Sequence, residues 1–380
     1  MSVPSGLTAL TLASVLLQGC GGSTDEIGDV TSRAPGSLGA GAFHLELEQV
    51  FGGDESTPEA LMGWVSAAAV DEDFNVYVVD HQSAQIVAFD SGGAVRWRAG
   101  AAGEGPGEIQ YPSQLVATRS RLILVNQAGS RLDAYDLDGD FVDTRPRRTR
   151  GRSYARLTCS RPDETILETT GFQGQWNLSV TETTFEEYAV AMSDSANVVA
   201  EIDFDVDLEL PPGLTPQNYV GCGTSALLVH HPVAYRVERW SFDGERLGAF
   251  GRDDTGFGPP SVRQGNQGAI VYVPTFRAHP VLELDGGRHL VVAHWLTNPS
   301  ITDEIAASML GEGPSPDRTY EHSIDLYHAD GTLISTIPGD GDPTIGYPAV
   351  SDRTGRIYTV ATEPYPQVRR YRVVMEGDAE

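Results

Sequence analysis

The feature that most constrains this chain is a unit that recurs along most of its 380 residues. Each copy has an apolar strand, a polar turn, a second strand that ends in an aromatic residue, a tight Asp/Gly turn and a third strand. The clearest copy spans residues 76–97 and makes its tight turn at residues 90–93. Asp bonds its own backbone and Gly reaches positive φ without steric cost, so such turns between alternating strands predict β-hairpins.

Five copies are clear, and a sixth fits residues 156–206 less closely. The clear copies begin at Val76, Leu122, Leu227, Leu290 and Ile357. The connectors repeat as well, because residues 103–112 align with residues 339–348 without a gap and are identical at five positions. We interpret each connector as a crossing from the outer strand of one sheet to the inner strand of the next. The repetition predicts an all-β fold, a six-bladed β-propeller over residues 43–376.

An N-terminal strand is predicted to close the ring. The last copy has no outermost strand of its own after Val374. Residues 44–52 alternate at period two and end in Phe-Gly, as another predicted outer strand does. Adding this strand to the last blade would remove exposed sheet edges. The alternative is an ordinary hairpin at the edge.

The first 42 residues are interpreted as an export signal followed by a flexible tether. The apolar run at residues 7–17 is too short to span a bilayer. Residues 17–20 resemble the lipobox of bacterial lipoproteins, which implies a signal peptide over residues 1–20 and a lipid on Cys20. A plain cleaved secretory peptide is the alternative. Residues 21–42 are rich in Gly, Ser, Thr and Asp, which predicts a flexible tether that holds the domain near the membrane by its lipid anchor alone.

Charge and composition exclude several functions. The formal net charge of −27 repels phosphate backbones, so no nucleic-acid partner is expected. The chain has no Lys, which excludes Schiff-base chemistry and a Walker-type phosphate loop. No Gly-x-Ser-x-Gly motif occurs, and the other Ser and His residues give no reason to infer a catalytic triad. We expect a monomer.

The chain resembles the NHL-type and related six-bladed propellers of bacterial lipoproteins. The resemblance depends on the strands at residues 77–80 and 86–90 and on the Gly-Glu-Gly-Pro-Gly-Glu loop at residues 103–108. It is strong over residues 64–145 and thin over residues 150–215 and 255–325. It implies a fold and a surface location rather than a reaction. Related propellers include lyases and esterases with metals on the central axis, and many binding modules.

Polar residues that follow the second strand of each blade are predicted to form a crown around one mouth of the channel. In a propeller these residues share a face with the crossings between blades. The crown includes Asp80, His81, Asn126, His231 and His294. Imidazole and carboxylate are natural ligands of divalent ions, so Asp80, His81, His231 and His294 are the metal-site alternative. The other interpretation is a hydrated polar funnel, with no cofactor expected.

Three insertions are predicted on the same face, around blades three to five. They are residues 171–185, the crossing 251–274 and residues 296–321, with a helix-like run after Thr302. Long loops in compact domains are often functional. Together with their neighbours, Trp176, Trp295 and Tyr320 could form an aromatic-walled recess for a sugar, peptide or partner. Alternatively, the loops pack on one another.

Cys159 and Cys222 lie at equivalent places before the second strands of neighbouring blades. In an exported protein such a pair could form a disulfide bridge, and two free buried thiols are the alternative.

These observations predict a cell-envelope binding or interaction module rather than an enzyme. Its ligand would be an envelope protein, peptide or glycan on the loop-rich face over blades three to five. The ligand-binding candidates are His81, Asn126, Trp176, His231, His294, Trp295 and Tyr320. The alternative function is an axial-metal lyase or hydrolase of the NHL-propeller type. A purely structural envelope role is also open.

Overall fold

The computed structural model of the chain describes most of residues 43–376. The described ranges are 43–53, 55–147, 154–161, 165–171, 177–185, 197–204, 220–223, 226–231, 234–252, 261–265, 270–273, 276–278, 281–340 and 345–376. The predictions for the signal peptide, Cys20, the tether and Trp176 therefore lie outside the described residues. Within these ranges no helix is long and apolar enough to cross a membrane.

Six antiparallel sheets form the six blades of a β-propeller, which confirms the predicted fold. Blade 1 contains β2 (Val65–Val70), β3 (Val76–Asp80), β4 (Gln85–Phe89) and β5 (Val95–Ala99). Blade 2 contains β6 (Gln114–Ala117), β7 (Arg121–Asn126), β8 (Arg131–Asp136) and β9 (Phe141–Pro146). Blade 3 contains β10 (Tyr154–Ser160), β11 (Ile166–Gly171), β12 (Asn177–Thr183) and β13 (Asn197–Asp203). Blade 4 contains β14 (Val220–Cys222), β15 (Ala226–His230), β16 (Arg236–Ser241) and β17 (Arg246–Gly251).

The last two blades complete the ring. Blade 5 contains β20 (Phe276–Ala278) and β21 (Leu282–Glu283), which both pair with β22 (His289–Leu296), followed by β23 (Tyr320–Tyr327) and β24 (Leu333–Asp340). Blade 6 contains β25 (Tyr347–Ser351), β26 (Ile357–Ala361), β27 (Gln367–Met375) and β1 (Phe43–Phe51). The N-terminal strand pairs with β27 from Phe43 opposite Met375 to Phe51 opposite Val368. The predicted closure is thus confirmed, one residue earlier than expected.

The hairpin turns follow from local side-chain bonding. The Asp90 carboxylate accepts the backbone N–H groups of Gly92 and Ala94, and Asp136 accepts those of Asp138 and Asp140. Gly93 takes the left-handed φ of +93° that closes the first of these turns. The repeated Asp/Gly signal in the sequence therefore corresponds to a repeated physical turn.

The apolar core lies between neighbouring blades. Middle strands such as β3 are buried at every position, and their side chains pack against both adjacent sheets. One cluster joins Tyr77 and Val79 of blade 1 to Leu122 and Leu124 of blade 2. At the closing seam, the ring of Phe51 packs against Phe89 of blade 1. Sheet-on-sheet packing of this kind makes each blade depend on its neighbours.

The innermost strands surround a central channel and all run in the same direction. A cavity of about 440 Å³ is lined by these strands from their first residues onward, such as Val65, Gln114 and Tyr347. An adjoining cavity of about 520 Å³ is lined by their last residues, such as Val70 and Arg353. We call the face where these strands begin the upper face, and the opposite face the lower face. Loops from second to third strands also open on the upper face.

Two insertions pack on each other beside blade 5. The hairpin of β18 (Ser261–Gln264) and β19 (Ile270–Val273) contacts helix α1 (Thr302–Met309). Val271 and Val273 form a small apolar cluster with Ile305 and Ala306. The described parts of these insertions therefore follow the alternative in which elaborated loops pack together.

A disulfide bridge joins Cys159 of β10 to Cys222 of β14, with Cα atoms 6.1 Å apart. Both residues are half-buried and line the channel wall. The bridge links the inner strands of blades 3 and 4.

Candidate functional site

Exposed aromatic side chains of the described residues lie on the upper face. Trp64, Tyr111, Tyr347 and Tyr365 are 56%, 63%, 37% and 38% exposed. Trp64 directly precedes β2, Tyr111 lies in the crossing to β6, Tyr347 begins β25, and Tyr365 lies between β26 and β27. Other exposed large hydrophobic residues, such as Leu47 and Leu247, are on the outermost strands, and Met309 is on α1. Exposed aromatic surface is thus concentrated around one mouth of the channel.

Three of the rings on this face follow one another from blade 1 to blade 2. The ring centroids of Trp64 and His81 are 4.4 Å apart, and those of His81 and Tyr111 are 6.3 Å apart. We call Trp64, His81 and Tyr111 the aromatic arc. His81 was predicted as a ligand residue, and the structure places it between two exposed aromatic rings.

Asp80 holds the blade 1 end of the arc in place. Its carboxylate accepts the backbone N–H groups of Gly63, Trp64 and Gln82 and the hydroxyl of Ser83, at 2.7–3.2 Å. Burial of this carboxyl opposes ionisation, but the hydrogen bonds outweigh burial and lower its pKa below the usual value. The backbone N–H of His81 in turn donates to the Trp64 carbonyl at 2.8 Å. Asp80 therefore positions the arc, with its oxygens already engaged by the protein.

Asn126 holds the blade 2 end of the arc. This side chain is fully buried, and its Oδ1 accepts the backbone N–H groups of Gln110 and Gln127, both at 2.8 Å. Its Nδ2 donates to the Glu108 carbonyl at 2.9 Å and to the Asp133 carboxylate at 2.6 Å. The sequence predicted Asn126 as a ligand contact, whereas its burial gives it a positioning role.

The backbone that presents Tyr111 is strained. Tyr111, Gln127 and Ala128 have left-handed φ values of +48°, +48° and +53°. Non-glycine residues in this region cost on the order of 1–3 kcal/mol each and persist where surrounding contacts enforce them. Here the Ala128 N–H donates to the Tyr111 carbonyl at 3.2 Å, and the Gln127 N–H donates to the Gln110 carbonyl at 2.7 Å. Strain of this kind is concentrated at functional sites, which supports the arc as a candidate site.

Neutral amide side chains border the arc. Gln82 is exposed beside His81, and Gln110 and Gln127 are half-buried beside Tyr111. Gln110 Nε2 donates to the Glu104 carboxylate at 3.1 Å, and Gln127 Nε2 donates to the Glu104 carbonyl at 3.3 Å. The arrangement combines flat apolar faces with planar hydrogen-bonding groups, which is typical of small-molecule and polymer recognition.

The structure does not bring the predicted metal ligands together. His231 is buried with its ring edge-on to Phe204, centroids 5.4 Å apart, away from the arc that contains His81. His294 pairs with His322 across the strands of blade 5. Among the described residues there is no group of three or more His, Cys, Asp or Glu side chains that could hold a metal ion.

Burial also sets the charge of the blade 4 histidines. Burial, followed by the positive charge of Arg236 and the neighbouring His230, lowers the pKa of His231 to about 3. Burial lowers the pKa of His230 to about 4, against a backbone hydrogen bond to the His231 carbonyl at 2.8 Å. Both rings are therefore neutral near pH 7 and act as packed core residues.

The remaining predicted residues do not form an aromatic recess within the described part of blades three to five. Trp295 is half-buried against the core between blades 4 and 5. Tyr320 packs against the small cluster under α1, and its ring centroid is 6.0 Å from that of His294. The predicted face is the one that carries the exposed aromatic rings, but the described rings cluster over blades 1, 2 and 6.

Trp64, Tyr111 and Tyr347 were not among the site residues predicted from the sequence. A signal was present, because the two connectors that align without a gap both end in Tyr-Pro, at Tyr111 and Tyr347. Trp64 lies directly before β2, so it is also close to the start of an inner strand. An aromatic residue at the start of several inner strands predicts rings at the channel mouth once the blades are arranged in a circle.

Comparisons with known proteins support the fold. A solved structure of a DUF4221 family member from Bacteroides vulgatus is similar at a TM-score of 0.55 and 11% identity, covering 87% of this chain and 98% of that chain. A Bacteroides fragilis protein named as exported is similar at a TM-score of 0.52 and 13% identity, covering 90% and 98%. Virginiamycin B lyase from Staphylococcus aureus has a TM-score of 0.44 and 12% identity, covering 88% and 100%.

No protein-family model matches the chain, and no curated protein matches its sequence. At 11% and 13% identity, the two structures with TM-scores above 0.5 support the overall fold alone, and the activity is argued from the site.

Proposed function

We propose that the protein is an exported binding module of the bacterial cell envelope, tethered by a lipid on Cys20, that takes its ligand at the upper mouth of the channel. The observation that supports this proposal most directly is the aromatic arc of Trp64, His81 and Tyr111. Aromatic side chains are enriched among the residues that contribute most of the binding energy, and their rings combine an apolar face with polar atoms.

The position of the N-terminus supports the same function. Strand β27 runs from the upper to the lower face, and β1 pairs antiparallel to it, so Phe43 lies at the lower face. A tether from a lipid on Cys20 would therefore join the domain on the side opposite the arc. This placement would turn the arc away from the membrane.

The experiment that tests this function uses the full chain with Cys20→Ser, so that no lipid can hold it to membranes. The protein is sedimented with purified cell-envelope fragments at increasing fragment concentration. We expect saturable co-sedimentation that falls by about tenfold or more when Trp64→Ala and Tyr111→Ala are added, because a tenfold change corresponds to about 1.4 kcal/mol of binding energy.

The matched control adds Leu47→Ala and Leu247→Ala, which remove similarly exposed apolar side chains from outer strands, and should bind as the parent does. Circular dichroism checks that every variant is folded. Equal co-sedimentation of the arc variant and the control, or no binding by the parent, would contradict the proposal.

A further inference from the structure

We infer that the ligand of the aromatic arc is a neutral glycan, stacked through the flat faces of its pyranose rings on Trp64 and Tyr111. This inference rests on the proposed function and adds the chemical class of the ligand. It depends on four properties of the arc: its openness, the amide groups beside it, the negative charge around it and its extended course.

The openness of the arc favours a flat ligand over an inserted side chain. Trp64 and Tyr111 keep 56% and 63% of their surface exposed, so they form a platform rather than the walls of a pocket. Peptide anchors gain most of their binding energy in well-packed, desolvated pockets. A pyranose ring instead presents polarised C–H groups on its face, which the electron-rich face of an aromatic ring attracts, while its hydroxyl groups remain in water.

The side chains around the arc match hydroxyl groups. Gln82 carries an amide group beside His81, and Gln110 and Gln127 carry amide groups beside Tyr111. Gln110 and Gln127 each donate one bond from Nε2 to Glu104, and an amide has a second N–H group and a carbonyl oxygen that can contact a ligand. The guanidinium of Arg131 donates hydrogen bonds to the carbonyl oxygens of Glu104 and Glu108, so it stabilises the loop before Tyr111. A sugar hydroxyl, which also donates and accepts, is the natural partner of such amides.

The charge of the protein favours a neutral glycan over an anionic one. The formal net charge is −27, and the crossing before Tyr111 carries Glu104 and Glu108. An anionic polymer would be repelled over its whole approach. A neutral glycan approaches without this penalty.

The extended course of the arc fits a chain of several sugars rather than a single sugar. The rings step from Trp64 to His81 over 4.4 Å and from His81 to Tyr111 over 6.3 Å, across the boundary between blades 1 and 2. A single pyranose can cover one ring, whereas an oligosaccharide can contact both ends of the arc at once. Two linked contacts raise the affinity above that of either one.

The test measures the heat of binding of hexasaccharides to the full chain with Cys20→Ser. The probes are β-1,4-linked hexamers of glucose, mannose, xylose and N-acetylglucosamine, and a glucose monomer. We expect at least one hexamer to bind saturably and more tightly than the monomer. Trp64→Ala should weaken its binding by about tenfold or more, and Trp64→Phe, which keeps a flat ring, by about threefold at most.

A second pair of variants is Tyr111→Ala and Tyr111→Phe, and we again expect alanine to weaken binding more than phenylalanine does. The control is the double variant Leu47→Ala with Leu247→Ala. Absence of saturable binding by every hexamer would overturn the inference, as would equal affinities of Trp64→Ala and the parent. If envelope co-sedimentation still depends on the arc in that case, the glycan class is wrong and the binding function stands. If protease treatment of the envelope fragments abolishes the binding, the partner of the arc is a protein. That result would likewise overturn the glycan inference.

Discussion

The buried side chain of Asn126 fixes the backbone that presents Tyr111 to solvent. One oxygen of Asn126 accepts the N–H of Gln110, the residue before Tyr111, and also the N–H of Gln127. The most exposed aromatic residue of the arc is thus held by a residue with no exposed surface. Rigid support of this kind lowers the entropy lost when a ligand binds.

Replacement of Asn126 by Ala is expected to destabilise the protein by about 2–4 kcal/mol. The change leaves the Asp133 carboxylate, which is itself fully buried, without one of its hydrogen-bond donors. Urea denaturation followed by circular dichroism measures the loss. Gln82→Ala on the surface is the control and should change the free energy of unfolding by less than about 0.5 kcal/mol. An Asn126→Ala variant as stable as this control would show that the buried network is not needed.

Glycine is expected to be better tolerated than alanine at position 111. Tyr111 has a φ of +48°, which an alanine adopts only with steric strain. Tyr111→Gly should therefore be more stable than Tyr111→Ala by about 1 kcal/mol. At Trp64, which is not in the left-handed region, we expect the opposite order, because glycine there only adds freedom to the unfolded chain. The same order at both positions would contradict the assignment of strain to Tyr111.

The sequence predicted the architecture because turn chemistry and alternation are local. The Asp/Gly turn at residues 90–93 and the alternating strand at residues 44–52 could each be recognised without their neighbours. The directions of the side chains in the candidate site could not be recognised in this way. His231 was placed in the crown, but its ring turns toward Phe204 of the neighbouring blade. Which residues of a loop face the channel depends on how adjacent blades pack, and this contact is made between blades.

The disulfide between Cys159 and Cys222 is expected to contribute about 4 kcal/mol to stability. The two residues are 63 positions apart, and loop-closure entropy for a loop of that length gives about this value. The paired variant Cys159→Ser with Cys222→Ser should unfold at lower urea concentration than the parent under non-reducing conditions. Reductant should destabilise the parent and leave the paired variant unchanged. Two titratable thiols from Cys159 and Cys222 in unreduced, denatured parent protein would exclude the bridge.

The buried histidines of blade 4 are expected to make the fold sensitive to mild acid. The pKa values of His230 and His231 are lowered to about 4 and about 3, whereas an unfolded histidine titrates near pH 6.5. Between these values the unfolded chain binds protons that the folded protein does not, so stability is complete above about pH 6.5 and falls as the pH decreases toward 4. Each histidine contributes a slope of up to about 1.4 kcal/mol per pH unit in that range.

Urea denaturation at several pH values between about 7 and 5 tests this expectation, because unfolded carboxylates titrate mainly below that range. His231→Phe replaces the buried ring with one that cannot take a proton, so it should reduce the slope. The same change in charge is made at exposed His44 on β1 by His44→Gln, as a control for total charge. A slope that is unchanged by His231→Phe, in a variant that remains folded, would show that His231 is accessible to protons in the native protein.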